Sequence, residues 1–185
     1  MRRQQVLLGI YLFVPAPFNT IDLATLALKP GEGRRLDLDL VPEPFVLGGE
    51  PYDFGSQSVP GRLDVSRTSS GHAMRLQLTA TLHGICMRCL TPATFDIEVE
   101  SREVDQPGTG DEELASPYVN LDELDIAAWA HDAIALALPV ALLCRPECKG
   151  LCPECGISLN DIPDGEHVHD SEPDPRWAKL RELTD

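Results

Sequence analysis

Arg62-Leu63-Asp64-Val65-Ser66, followed by Met74-Arg75-Leu76-Gln77-Leu78-Thr79-Ala80-Thr81-Leu82, decides the fold. Both runs alternate apolar and polar side chains, and a period of two places every second residue on one face of a strand. Ser69-Ser70-Gly71-His72 between them carries turn chemistry, so the two runs read as a hairpin. Working outward, Arg35-Leu36-Asp37-Leu38-Asp39-Leu40 alternates upstream, and Thr94-Phe95-Asp96-Ile97-Glu98-Val99 alternates downstream of Pro92. Residues 42–60 are rich in Pro and Gly and read as a loop. No helical period interrupts residues 21–103, so an antiparallel meander or a small barrel is favoured over a parallel sheet.

The period changes near Asp122. Ile126, Trp129, Ala130, Ala133, Ile134, Ala137 and Leu138 recur at helical spacing, which predicts one long helix over residues 122–138, ended by Pro139. Its stripe is read as core. Asp122, Glu123 and Asp125 are expected in its first turn, where acids oppose the helix dipole favourably. A short second helix is expected at Asp174-Pro175, an N-cap followed by Pro at the first helical position, with Trp177, Leu180 and Leu183 on one side. The expected class is α+β, in three parts. Residues 1–17 form an N-terminal extension, 18–139 a β-rich body closed by the long helix, and 140–185 a cysteine-rich knuckle with the short helix.

The chain has 185 residues, enough for one domain with a small appendage, and no apolar run long enough to suggest a membrane-spanning helix. Its net charge of −15 argues against a general phosphate-neutralising nucleic-acid binder. Eleven acids against one base, Arg102, lie between Asp96 and Asp125, a solvated surface or a docking surface for a basic ribosomal or RNA-binding protein. Arg145, Lys149, Arg176, Lys179 and Arg181 are the candidates for a local basic face that could touch phosphates. At the start, a basic Met1–Gln5 precedes the apolar run Val6–Val14. The exit Pro15-Ala16-Pro17-Phe18 lacks a small-x-small cleavage site, which weakens a secretory reading and favours a first strand or a start codon assigned too early.

Eight residues carry metal-ligand chemistry: Cys86-x2-Cys89, Cys144-x3-Cys148, Cys152-x2-Cys155 and His167-x-His169. Thiolates and imidazoles in close-spaced pairs are what a closed tetrahedral zinc site uses. In Cys152-Pro153-Glu154-Cys155-Gly156 the Gly permits the positive φ that closes a knuckle. Spacing leaves the pairing open. One arrangement has two sites, Cys152, Cys155, His167 and His169 closing locally while Cys144 and Cys148 join Cys86 and Cys89. The other is a single local site of Cys144, Cys148, Cys152 and Cys155. Two sites are preferred, because a free thiol pair beside a thiolate cluster is open to oxidation. A reducing cytoplasm suits such a set better than an export route. No Gly-rich phosphate loop, serine elbow or carboxylate pair indicates an enzyme. A redox role for Cys86-Met87-Arg88-Cys89 lacks the helix that usually follows such a motif.

Taken in order, the motifs resemble a known family. They are Phe18-x2-Ile21-Asp22-Leu23-x2-Leu26, Cys86-x-Arg88-Cys89-Leu90, Leu138-Pro139, Cys144-x3-Cys148-Lys149-Gly150-Leu151-Cys152-Pro153-x-Cys155-Gly156-x2-Leu159-Asn160, and Asp174-Pro175-Arg176-Trp177-x2-Leu180. They resemble the YceD-like family of bacterial and plastid proteins linked to accumulation of large-subunit ribosomal RNA. Many relatives have Cys-x-Cys where this chain has His167-Val168-His169, and some lack most of the cysteines. The resemblance implies a non-enzymatic ribosome-biogenesis factor with one or two structural zinc ions. Its expected partner is large-subunit ribosomal RNA or a precursor, contacted directly or through a protein. A thiol-redox or metal-dependent enzyme built on the CxxC pairs is the alternative.

Overall fold

The structure is a computed structural model and describes residues 20–55, 58–108 and 114–169. The expectations for the N-terminal run, for the middle of the acidic tract at Thr109 and Gly110, and for the helix at Asp174 lie outside the described residues. Two compact units are found. Of the described residues, 20–84 and 94–140 form the first; Ile85–Ala93 and the chain from Ala141 form the second.

In the first unit, β2 (Gly33–Leu40), β5 (Val59–Arg67), β6 (His72–Ile85) and β7 (Pro92–Asp105) lie side by side in that order. The register puts Leu36 opposite Leu63 and Leu63 opposite Leu76. Thus every second residue meets its like across the sheet. Leu38, Leu40, Leu63, Val65, Met74, Leu76, Leu78, Phe95, Ile97 and Val99 are buried on one face. The other face carries charge, with cross-strand pairs Arg35–Asp64 and Arg75–Glu100. Asp64 and Glu100 are held below the usual carboxylate range by the guanidinium groups hydrogen-bonded to them. A second sheet takes β1 (Thr20–Asp22), β9 (Glu123–Asp125) and β8 (Val119–Asn120) in that order. The described strand pairings are antiparallel and the sheets are open, which fits the meander and leaves the barrel alternative aside.

Three local readings are corrected. Residues 42–60 are not merely a loop, for β3 (Phe45–Leu47) and β4 (Glu50–Tyr52) form a hairpin across Gly48 and Gly49, at φ 64° and 90°. Three-residue strands are too short for alternation to reveal, yet Phe45 and Tyr52 bury their rings. The helix, α1, spans Ile126–Ala137. Leu121 and Asp122, at φ 50° and 65°, instead turn the chain between β8 and β9, the two positive φ values a tight hairpin requires. Asp122 and Glu123 are therefore outside the helix, and Asp125 is its N-cap, its carboxylate accepting from Ala128 N–H at 2.9 Å. The stripe also stops early: Ile126, Trp129, Ala130, Ala133 and Ile134 are buried, whereas Ala137 is exposed. Trp129 donates from its indole to Ser101 Oγ of β7 at 2.9 Å, so the helix is tied to the sheet unit by a polar bond as well as by packing.

Candidate metal centres

The second unit is organised by two turns of one design. In the first, Cys86 N–H donates to the Thr91 carbonyl at 2.8 Å and Leu90 N–H to the Cys86 carbonyl at 2.9 Å. In the second, Cys152 N–H donates to the Ile157 carbonyl at 2.8 Å and Gly156 N–H to the Cys152 carbonyl at 2.9 Å. The residue after the second cysteine is left-handed in both, Gly156 at φ 73° and Leu90 at φ 58°. The glycine is the residue expected there; the leucine is not, because a Cβ in that region is strained.

The eight side chains lie in two groups. Cys86, Cys89, Cys144 and Cys148 make one, Cys152, Cys155, His167 and His169 the other, and within each the ligand atoms are within 4.8 Å of one another. All six cysteines are free thiols. In the first group Cys86 Sγ is 3.7 Å from Cys148 Sγ, and Cys89 Sγ is 3.6 Å from Cys144 Sγ. These separations far exceed a disulfide bond. They match the edge of about 3.8 Å that a tetrahedron of Zn–S bonds near 2.3 Å requires. In the second group both imidazoles present Nε2. Cys152 Sγ is 3.2 Å from His169 Nε2, Cys155 Sγ is 3.4 Å from His167 Nε2, and the two Nε2 atoms are 2.8 Å apart. Mixed Zn–S and Zn–N bonds would set edges of roughly 3.3 to 3.6 Å, so this group is a little tighter than a loaded site.

Charge explains why a dication suits these clusters. Burial alone would push the Cys86 thiol up, but backbone amides of Cys144, Cys89 and Arg88 act on its sulfur and bring it down to about 6. Cys144, by contrast, is pushed up to about 12 by desolvation and by its neighbouring cysteines. Four thiols this close cannot all ionise in isolation, and a bound cation removes that conflict. In the second group, amides of Cys155 and Glu154 bring the Cys152 thiol down to about 6 against the effect of burial.

Supporting residues complete the unit, and sequence reading gave them no role. Arg88 donates to the Cys148 carbonyl at 2.9 Å, bridging the two segments that hold the first group. Asn160 Nδ2 donates to Cys148 Sγ at 3.6 Å while its Oδ1 accepts from Lys149 N–H at 2.9 Å. Thr91 Oγ1 lies 3.1 Å from Cys89 Sγ, and Glu154 Oε2 lies 3.4 Å from His169 Nδ1, fixing which nitrogen faces the sulfurs. Gly150, at φ 81°, lets the chain pass Arg88, whose carbonyl oxygen would stand 3.1 Å from an added Cβ. Several of these positions fall inside the cysteine-rich run, so the signal was present without an assignable job. Of the basic residues considered for phosphate contact, Lys149 is engaged with Asp164 at 2.8 Å and the Ile162 carbonyl at 2.9 Å. Arg145 reaches the Asn160 carbonyl at 3.4 Å. Arg176, Lys179 and Arg181 lie outside the described residues. No described helix is long and apolar enough to cross a membrane.

The same region carries the likeness to known proteins. A family model described as "Large ribosomal RNA subunit accumulation protein YceD" matches residues 74–184, a span that includes all eight cluster residues. Uncharacterised proteins of Mycobacterium tuberculosis and Mycobacterium bovis are 32% identical over 171 residues, covering 89% of this chain and 80% of theirs. A Zea mays protein named as a chloroplastic large ribosomal RNA subunit accumulation protein YCED homolog is 39% identical over 56 residues, 30% of this chain and 19% of its own. No solved structure matches. With both turns and their clusters inside the matched span, the chain belongs to the YceD family of large ribosomal RNA subunit accumulation proteins.

Proposed function

We propose that this chain is a non-enzymatic ribosome-biogenesis factor of the cytoplasm that supports synthesis, processing or stability of large-subunit ribosomal RNA. Family membership is the observation that carries this reading. Two zinc ions hold the second unit, one on Cys86, Cys89, Cys144 and Cys148, the other on Cys152, Cys155, His167 and His169; the tetrahedral spacing and the thiolate-favouring amides support the assignment. Closed four-ligand sets leave no position for a substrate or water, so the metal's work is structural. The segment 140–185, with the Cys86–Cys89 turn, then serves as a metal-built module, distinct from the β-rich body of residues 18–139. The described cations of that module are spent on its own carbonyls and carboxylates, which favours contact with the ribosomal precursor through a basic protein over direct phosphate binding. The test is a deletion strain in which large-subunit RNA is measured against small-subunit RNA. A selective fall in the large-subunit species, restored by the wild-type gene, supports the reading; an unchanged ratio refutes it.

A further inference from the structure

We propose that the two centres differ in permanence. The Cys152–Cys155–His167–His169 centre exchanges its metal with the surroundings, and the four-cysteine centre keeps its metal as long as the unit is folded. This rests on the reading that both clusters bind zinc, and deepens it by assigning the second a regulatory role.

Burial separates the two. Cys86, Cys89 and Cys148 are 0%, 4% and 1% exposed and are packed with Ala93, Leu143 and Leu151, so three of the four ligands of the first cluster form a core, with Cys144 exposed at its edge. Its two segments are also cross-linked away from the sulfurs, by Met87 N–H to the Leu142 carbonyl at 2.9 Å and by Arg88 to Cys148. Opening that centre means dismantling those bonds and that packing together. In the second cluster only Cys152 is buried; Cys155 is exposed and both imidazoles are half-buried. The arm that brings the imidazoles makes no backbone–backbone hydrogen bond at 167–169 among the described residues. Val168, between them, is 77% exposed and anchors nothing. Among the described residues, the arm is held by the contacts of His167 and His169 with Cys155, Cys152 and each other and by Glu154 beside His169, while Lys149 fixes the chain as far as Asp164. An opening that breaks few contacts has a low free energy, and metal exchange follows such local openings. When the arm lets go, the first turn, its thiolate core and the Lys149 bonds to Asn160, Ile162 and Asp164 stay intact while His167 and His169 leave Cys152 and Cys155. The second centre is thereby a clasp responsive to available zinc.

The test uses the full chain loaded with zinc. Metal per chain is counted by native mass spectrometry, then an excess of a chromogenic zinc chelator is added and release is followed in time. N-ethylmaleimide trapping with peptide mapping identifies the cysteines freed at each stage. Two zincs are expected, one released at least about tenfold faster than the other, because a local opening lies below a whole-unit opening in free energy. Early alkylation should fall on Cys152 and Cys155 alone. His169→Gln should lose the fast phase and keep one slow zinc. Two zincs leaving together, or early alkylation at Cys86, Cys89, Cys144 or Cys148, overturn the proposal while leaving the two-site reading intact. Fewer than two zincs in the wild-type chain overturn both.

Discussion

Leu90 and Gly156 occupy one position in two equivalent turns, and exchanging their chemistry yields opposite effects. A non-glycine residue in the left-handed region costs about 1 to 2 kcal/mol. Leu90, at φ 58° and 58% exposed, bears that strain while burying little in return. Leu90→Gly should relieve it, offset by about 0.4 to 1 kcal/mol of extra freedom in the unfolded chain, for a net gain of about 0.5 to 1 kcal/mol. Gly156 has nothing within 4 Å of an added Cβ, so Gly156→Ala should cost the strain less the same unfolded-chain term, about 0.5 to 1 kcal/mol net. On the proposed zinc centres, ligand binding and folding of the unit are one process, and these energies would appear as metal affinity. Competition against a chelator of known affinity should show Leu90→Gly tightening zinc at the four-cysteine centre, and Gly156→Ala weakening the other, each about two- to five-fold. No loss in Gly156→Ala, or a weaker first centre in Leu90→Gly, would refute the equivalence of the turns.

Further outcomes follow from the first unit. Gly71→Ala should destabilise it by about 1 to 3 kcal/mol in urea unfolding, because the added Cβ would stand 1.8 Å from the Asp105 carbonyl oxygen and backbone must move to admit it. Asp125→Ala should cost about 1 kcal/mol through the lost cap, whereas Asp122→Gly should cost nothing, its φ of 65° suiting glycine. His72 is buried, and desolvation together with Arg67, 3.0 Å away, lowers its pKa from the usual 6.5 despite Asp122 and Asp105. Its contribution is present above the unfolded value and is lost as pH falls through the folded one, so stability should decline below about pH 6.5, and His72→Gln should blunt that decline. Equal acid sensitivity in that variant would remove the assignment.

How far the sequence carries can be followed element by element. Alternation in 62–66 and 74–82 is legible because one face of that sheet is buried and the other charged, the condition under which a period of two is written into a chain. The β3–β4 hairpin escapes because three-residue strands carry no period, although Gly48-Gly49 mark its turn. The helix start was displaced because acids suit a first helical turn and a polar hairpin equally; only the positive φ at Leu121 and Asp122 separates the two. The turn at Cys152 is legible through Gly156, whereas its twin at Cys86 lacks the glycine and yields only its cysteines. Which ligands meet was left open by spacing, since Cys89 and Cys144 are 55 residues apart and only the folded chain brings their sulfurs to 3.6 Å.

The central claim is a second unit held by two separate four-ligand zinc centres, and zinc per chain measured by native mass spectrometry tests it most directly. Two zincs are predicted for the wild type, one for Cys86→Ser and one for His167→Ala, since each substitution touches one group only. A single zinc, unchanged by either substitution, would contradict the account and favour one local site on Cys144, Cys148, Cys152 and Cys155.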